Sequence, residues 1–469
     1  MWKRCRQATA FMLMLVLIMG AFSFARAEET SPIVNPQIPY NSQRLYRDCA
    51  AIAERYSGIV SLESVGLSVM GRDIPLLKLG RGKRPLLWIG ALHAREAVTT
   101  GFLMQTIESY ADAYVNKTAF GKTTAEKVRW LLDEFTVYIV PMANPDGVDI
   151  VTAGGAATVY VGDSATWKSN ANGVNLNRNF PFDWDSYRPT TNPNTNNHLS
   201  YTGSSAGSEP ETQALITLCE SVRFEHMVSC HAQGKVVYYR DDKNGVIPGD
   251  LSLARTLSQL TGFGIMPSTH SAAGGWAGGF ENWFRHQYGK PGICMEFCYR
   301  NTADNDTMSR FYTQNMIDWD RSKNLLFGVM DSLSDIKAVP MAVPGLINGR
   351  EIVFQAYRIA GEHFFKLIDI MYILSGTEKQ FSFELDLTTN TINLLSGAAY
   401  KPDGSEMQSL GTETVTPNPT KSRLLLDGVP IDVKSCNMKY RNYFKIKDVA
   451  DLFGFDALWI DSTLVLDTR

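Results

Sequence analysis

Pro85-Leu86-Leu87-Trp88-Ile89-Gly90-Ala91-Leu92-His93-Ala94-Arg95-Glu96 decides how the rest of the chain is read. Residues 85–91 make a short apolar run of strand length, and the stretch 97–114 behind the motif has helical spacing. His93 and Glu96 therefore fall where a strand hands over to a helix. That handover lies in the crevice beyond the strand's C-terminal end, where open α/β sheets place their sites. An imidazole and a carboxylate three positions apart can aim there at one point. Taken alone the pair is a weak signal, since a structural histidine is the plainer reading.

Outward from this stretch the same alternation runs from about residue 40 to residue 333. Strand candidates are 85–91, 135–141, 226–230, 236–239 and 292–297. Helix candidates are 41–56, 97–114, 123–132, 210–222 and 249–262, and 306–333 follows the last strand. Strands separated by helices predict an α/β fold with a mixed, mainly parallel sheet and helices on both faces. Ser208 followed three residues later by Glu211 reads as a capping box for the helix at 210–222. The polar stretch 189–207 before it is long for a structureless loop, so it reads as a substrate-facing surface or a flap.

Composition agrees with a globular enzyme-sized protein. The 469 residues are 44% hydrophobic and 20% charged, which excludes disordered, collagenous and coiled-coil chains. A net charge of −3 excludes a polybasic nucleic-acid binder. At the start, Lys3, Arg4 and Arg6 precede the apolar run 11–22 and then Ala25-Arg26-Ala27, a small-residue cleavage site. Residues 1–27 are read as an export signal, because the apolar run is short for a membrane span. The expected product is secreted and mildly acidic, extracellular or associated with the cell wall. No nucleic acid partner is expected, and no membrane span once the signal is removed.

Cys49, Cys219, Cys230, Cys294, Cys298 and Cys436 remain after the signal; they permit disulfides without specifying any. Cys294 and Cys298 flank Glu296 at strand spacing, so all three share a face and the cysteines read as small buried residues.

A second unit is expected over 345–469, after a Pro-punctuated linker at 335–344. It carries an internal repeat. Asn348-Gly349 recurs as Asp427-Gly428, and Phe365-Lys366-Leu367-Ile368-Asp369 recurs as Phe444-Lys445-Ile446-Lys447-Asp448, both at one offset of about 79 positions. Each copy reads as a hairpin turn, a strand, a helix opening near the Phe-Lys step and a final strand pair, a smaller α+β domain. It resembles the copper amine oxidase N-terminal-like repeats of exported bacterial proteins. The resemblance implies a binding or spacing module, one that could hold the protein at the cell envelope, and no copper.

The His93/Glu96 pair needs a third ligand to become a metal site, and Ser229-Cys230-His231 supplies one at the end of another strand candidate. Two histidines and a glutamate, with one position left for water, form the ligand set of a catalytic zinc site. H-E-x-x-H is absent, so the helix-borne zinc protease pattern is excluded.

Residues 40–334 resemble the M14 zinc carboxypeptidases of the carboxypeptidase A type. Four separated motifs carry the resemblance in the family's order: Gly90-Ala91-Leu92-His93-Ala94-Arg95-Glu96, Asn144-Pro145-Asp146-Gly147, Gly173-Val174-Asn175-Leu176-Asn177-Arg178-Asn179-Phe180, and His231 followed by Gly292-Ile293-Cys294-Met295-Glu296. The resemblance implies that His93, Glu96 and His231 hold one Zn(2+), and that Glu296 is the general base. It implies that Asn177 and Arg178 grip a substrate's terminal carboxylate, with Arg95 as a further substrate-binding group. Lys168 stands where the family has an oxyanion-stabilising arginine, and Asn175 where it usually has an aspartate behind a zinc-bound histidine. The mobile-loop tyrosine position falls near Gly274, and Trp276 is the nearest residue to take its place.

The implied activity is metallocarboxypeptidase action on peptide or protein C-termini. Glu281 falls at the position that sets side-chain preference, and a carboxylate there would favour a cationic leaving residue. A second reading comes from His231-Ala232-Gln233-Gly234, which resembles bacterial γ-D-glutamyl-diaminopimelate peptidases that cut cell-wall stem peptides. A reading from another class is a non-catalytic peptide-binding protein on the same scaffold; the intact His93, Glu96, His231 and Glu296 set argues against it.

Overall fold

The computed structural model describes residues 31–152, 167–186, 201–241, 247–268, 278–298, 317–334, 337–359, 362–431, 433 and 435–469. The expected export signal at 1–27, Gly274, Trp276 and most of the polar stretch 189–207 lie outside the described residues. No helix among the described residues is long and apolar enough to cross a membrane.

The first unit is built on eight strands: β1 (Val60–Leu67), β2 (Asp73–Gly80), β3 (Arg84–Ile89), β4 (Phe135–Val140), β5 (Met227–Ala232), β6 (Val236–Asp241), β7 (Gly264–Ser268) and β8 (Gly292–Phe297). Their order is β1-β2-β4-β3-β5-β8-β6-β7. The central pairs β4-β3, β3-β5 and β5-β8 are parallel, as is β6-β7; antiparallel pairing enters at β1-β2, β2-β4 and β6-β8. Central strands are apolar on both faces because both are covered. Leu86 and Trp88 of β3 enter one layer with helices α1 (Ser42–Arg55), α2 (Val98–Val115) and α3 (Ala125–Glu134). Leu87 and Ile89 enter the other, against residues that follow α4 (Pro145–Thr152) and helix α5 (Pro210–Ser221). Further along the chain, α6 (Asp250–Thr261) joins the first layer and α7 (Phe280–Tyr288) the second, and after α8 (Trp319–Ser322), α9 (Leu325–Leu333) closes the first.

The strands that sequence patterning did not single out are β1, β2 and β7. β1 and β7 are the sheet's two edges, and of β1 only Val60 is buried, so no apolar run marks it. The expected capping box is not formed. Pro210 occupies the first helical turn, so Glu209 becomes the cap residue and Ser208 Oγ donates to its carboxylate at 2.6 Å. Glu211 is drawn into a buried network instead, accepting from Val69 N at 3.1 Å and Asn170 Nδ2 at 3.0 Å.

The second unit begins earlier than expected. Residues 339–344, read as linker, open β9 (Val339–Ile347), which pairs with β10 (Arg350–Ile359) from Val339 onward. Pro340 and Pro344 fit a strand there because their missing N–H groups share one side, and the neighbour on the other edge pairs only with Gly345–Ile347. There follow β11 (Glu362–Lys366), helix α10 (Leu367–Leu374), β12 (Phe381–Asp386), β13 (Thr391–Ser396), β14 (Asn418–Pro419), β15 (Arg423–Leu426) and β16 (Val429–Pro430). The chain ends with β17 (Ser435–Met438), β18 (Arg441–Lys445), helix α11 (Ile446–Phe453), β19 (Asp456–Ile460) and β20 (Thr463–Asp467).

The sequence repeat is a structural one. Asn348-Gly349 and Asp427-Gly428 take matching left-handed turns, with φ of 50° and 82° against 49° and 82°. Phe365 pairs in register with Phe444, its own counterpart, so a local two-fold axis passes between them. The copies then exchange elements. β20 of the second copy runs parallel to β9 of the first, and β13 of the first runs parallel to β15 of the second. Each copy's last hairpin thus completes the other copy's sheet around one shared core. Trp130 of α3 stacks on Phe364 at 6.5 Å between centroids and joins Tyr357 and Tyr443, fastening this unit to the first.

Two outcomes follow. Burial pushes the Glu211 carboxyl up to about 7 from 4.5, so its contribution to stability is fully present below 4.5 and lost as pH rises through 7. Glu211→Gln removes that titration, and its urea midpoint should gain on the parent's between about pH 5 and about pH 8; parallel curves would rule Glu211 out as the source. Phe365→Ala and Phe444→Ala each empty a fully buried ring site and should destabilise the second unit by about 3–5 kcal/mol. The double variant should depart from the sum of the two, as measured by urea unfolding, because the rings are register partners.

Candidate metal centre

The site forms at the C-terminal ends of β3, β5 and β8. Gly90 ends β3 where a side chain cannot fit: a Cβ there would lie 2.8 Å from Pro141 O and 2.9 Å from Leu103 Cδ1. This close packing lets the chain turn at Ala91, whose N–H donates to Thr99 Oγ1 at 2.8 Å, and enter a short helical turn at Ala94–Glu96. His93 precedes that turn and Glu96 closes it, so both side chains return toward β5.

Strand alternation places the rest. Met227 of β5 faces the second helical layer, so Ser229 and His231 share that face. On β8, Cys294 and Glu296 share it too, and His231 lies directly beside Glu296 in the parallel register. His231 Nδ1 is 3.1 Å from His93 Nδ1 and 2.9 Å from Glu96 Oε2, while Glu96 Oε1 is 2.9 Å from His93 Nδ1. All three residues are buried.

This donor set fits a cation. Two imidazole nitrogens and two carboxylate oxygens face one point, and at most one proton fits between nitrogens so close. A buried, three-residue set of nitrogen and oxygen donors is that of a catalytic zinc site. Burial holds the His93 imidazole well below its usual range against the pull of Glu96, so it stays neutral and able to donate a lone pair to a cation. Burial opposes ionisation of Glu96, but the two histidines prevail and hold its carboxyl well below the usual range.

The remaining residues expected at the site surround this point. Burial brings the Lys168 ammonium down to about 8; Glu96 opposes the shift, while Arg178 and Arg95 add to it. Burial lowers Arg95, which feels both Glu96 and Glu296. Glu296 is pushed up to about 8 by burial, with Glu96 and Glu281 adding and His231 and Lys168 opposing. Its Oε2 is buried without a hydrogen-bond partner among the described residues.

Asn177 and Arg178 sit on a short turn, Leu176–Arg178, which Asn175 caps by accepting from Asn177 N at 3.1 Å. Gly278, with φ of 70°, lets the chain before α7 press onto this turn, since a Cβ would lie 2.2 Å from Arg178 O. Asn177 Oδ1 then accepts from Phe280 N at 2.7 Å. Glu281, one residue further, does not line an open pocket: it is buried, with Oε1 3.2 Å from His231 Nε2 and Oε2 3.4 Å from Asn177 Nδ2.

Two supporting groups escaped the sequence reading. Ser229 Oγ lies 2.8 Å from His231 Nε2, a contact that strand parity alone could have suggested. Asn144 of the Asn-Pro-Asp-Gly motif donates to Ser169 O at 3.1 Å, and Ala94 N donates to Lys168 O at 3.1 Å, so both fix the Lys168 segment against the His93 loop. The six described cysteines are buried, and none of them is joined to another in a disulfide.

Comparison with known proteins names a family for the first unit. A family model described as Peptidase_M14, zinc carboxypeptidase, matches residues 45–325. Gamma-D-glutamyl-L-diamino acid endopeptidase 1 of Lysinibacillus sphaericus is 28% identical over 275 residues, which are 56% of this chain and 67% of that protein. The carboxypeptidase N catalytic chain of Homo sapiens is 28% identical over 267 residues, 53% of this chain and 54% of that one. Among solved structures, thrombin activatable fibrinolysis inhibitor superposes with a TM-score of 0.51 at 18% identity, covering 65% of this chain and 76% of its own. That likeness is one of fold. The chain spans about two thirds of the bacterial relative's length and about half of the human one's.

Proposed function

The chain belongs to the M14 family of zinc carboxypeptidases, and from that membership, with the signal-like pattern of residues 1–27, we propose that it is an exported enzyme releasing C-terminal residues from peptides. His93, Glu96 and His231 would hold one zinc ion. Bound zinc supplies Lewis acidity, polarising a carbonyl and making water a nucleophile at neutral pH. Glu296 takes the proton of the attacking water and passes it to the leaving amine. The Arg178 guanidinium forks onto the substrate's free carboxylate, which restricts cleavage to the last residue, and Asn177 braces the turn that carries it. Lys168 and Arg95 offset the negative charge that grows on the carbonyl oxygen. The observation that carries this reading is the register of His231 beside Glu296 on neighbouring parallel strands, with His93 and Glu96 converging on the same face.

A second reading has a specific support. The Lysinibacillus sphaericus relative is named for a γ-D-glutamyl-diamino acid bond, and His231-Ala232-Gln233-Gly234 resembles the corresponding segment of such peptidases. On that reading the substrate is a cell-wall stem peptide. Residues 1–27 would direct export, and the C-terminal repeats, which resemble copper amine oxidase N-terminal-like modules, would hold the enzyme at the cell envelope.

Hydrolysis by the zinc-loaded chain lacking residues 1–27 tests these readings on peptides ending in Lys, Leu or Glu and on a γ-D-glutamyl-diaminopimelate stem peptide. Glu296→Gln should lower kcat by about 10²–10⁴-fold with zinc still bound. Arg178→Ala should lower kcat/KM for C-terminal release by about 10–100-fold. Turnover of the stem peptide alone would move the assignment to wall peptides. Zinc binding with no turnover of any substrate would sink both and favour a peptide-binding protein.

A further inference from the structure

We infer that Glu281 positions the metal ligand His231 and does not select the substrate's side chain. This rests on reading His93, Glu96 and His231 as the zinc ligands. His231 uses both ring nitrogens. Nδ1 faces Glu96 and His93; Nε2, on the far side of the ring, is 3.2 Å from Glu281 Oε1 and 2.8 Å from Ser229 Oγ. A neutral imidazole carries one N–H, and an ionised carboxylate only accepts. The contact with Glu281 is therefore a hydrogen bond only when Nε2 bears the hydrogen, which leaves the Nδ1 lone pair for the cation. The carboxylate also raises the basicity of the nitrogen that binds.

Placement in the fold points the same way. Glu281 lies in the first turn of α7, where a carboxylate is favoured by the helix dipole. Its other oxygen lies 3.4 Å from Asn177 Nδ2, and Asn177 is itself held by the Phe280 N–H. The side chain is 4% exposed and engaged at both oxygens, so it has no open face to offer a substrate ammonium group. The other histidine is arranged differently. His93 Nε2 is buried with no hydrogen-bond partner among the described residues, and Asn175, at the position where the family usually has an aspartate behind a ligand histidine, is a neutral amide that caps its own turn. The carboxylate that backs a ligand histidine here stands behind His231. Cys294 Sγ approaches the same side, so His231, Glu281 and Cys294 form a second compact donor group. With Nε2 protonated, that group is a hydrogen-bonded support and holds no ion of its own.

The test compares the full chain with Glu281→Gln and Glu281→Asp. It reads zinc stoichiometry, zinc affinity by competition with a chelator, the visible spectrum of the cobalt-substituted protein, and kcat/KM on peptides ending in Lys and Leu. The parent should bind one zinc. Glu281→Gln should weaken zinc about 10–100-fold and shift the cobalt bands, with the Lys-to-Leu preference unchanged. Glu281→Asp keeps the charge and should recover part of the affinity, which separates positioning from a fold defect should the Gln variant prove unstable. Unaltered zinc affinity and cobalt spectrum with a collapsed Lys preference would make Glu281 the selector and overturn the inference. Two zinc ions per chain would overturn it in favour of a bridging His231. Failure of the parent itself to bind zinc would remove the ligand assignment beneath it.

Discussion

The pairing of β5 with β8 is the constraint on which the site depends. Because the two strands run parallel in one register, His231 and Glu296 stand side by side on one face, and Ser229 and Cys294 stand side by side one step below. A slip of β8 by one residue against β5 would send Cys294 and Glu296 to the opposite face, into the layer now filled by Ile293 and Met295. The apolar residues between the polar ones therefore do more than fill a core. They make the slipped register expensive, and in doing so they set which carboxylate meets which imidazole.

The site gathers Glu96, Glu281 and Glu296 with Lys168, Arg95, Arg178 and two histidines at the rim of a sheet whose strands are otherwise apolar. Each charge would be destabilising if buried alone. They are tolerated because each is opposed by another of opposite sign, and because the two apolar layers beneath supply burial to spare. The same cancellation limits substitution, since removing one partner leaves the other uncompensated in a buried or half-buried setting.

Much of this was legible in the sequence, for physical reasons that differ by element. The central strands and the His93/Glu96 turn are read from contiguous residues, because a strand covered on both faces must be apolar throughout and the turn's chemistry lies within four positions. β1 and β7 were not legible, because edge strands need no apolar run. Glu281 was legible as a carboxylate at the position that sets side-chain preference and not as a partner of His231. That pairing depends on α7 being pressed against the Leu176–Arg178 turn at Gly278, a contact between segments about 100 positions apart. The repeat was visible at its turns and at its Phe-Lys steps, but an offset is the same whether two copies stand side by side or exchange their hairpins.

That exchange governs the order in which the second unit can be completed. Gly345–Ile347 finds its parallel neighbour only in residues 464–466, about 120 positions later, and Thr391–Leu394 finds its own in residues 423–426. Neither copy presents a finished sheet until the other has been threaded through it. The unit therefore behaves as a clasp with two interlocking halves. It stays open while its chain is still extended, and once shut it leaves no half-module that could come loose on its own.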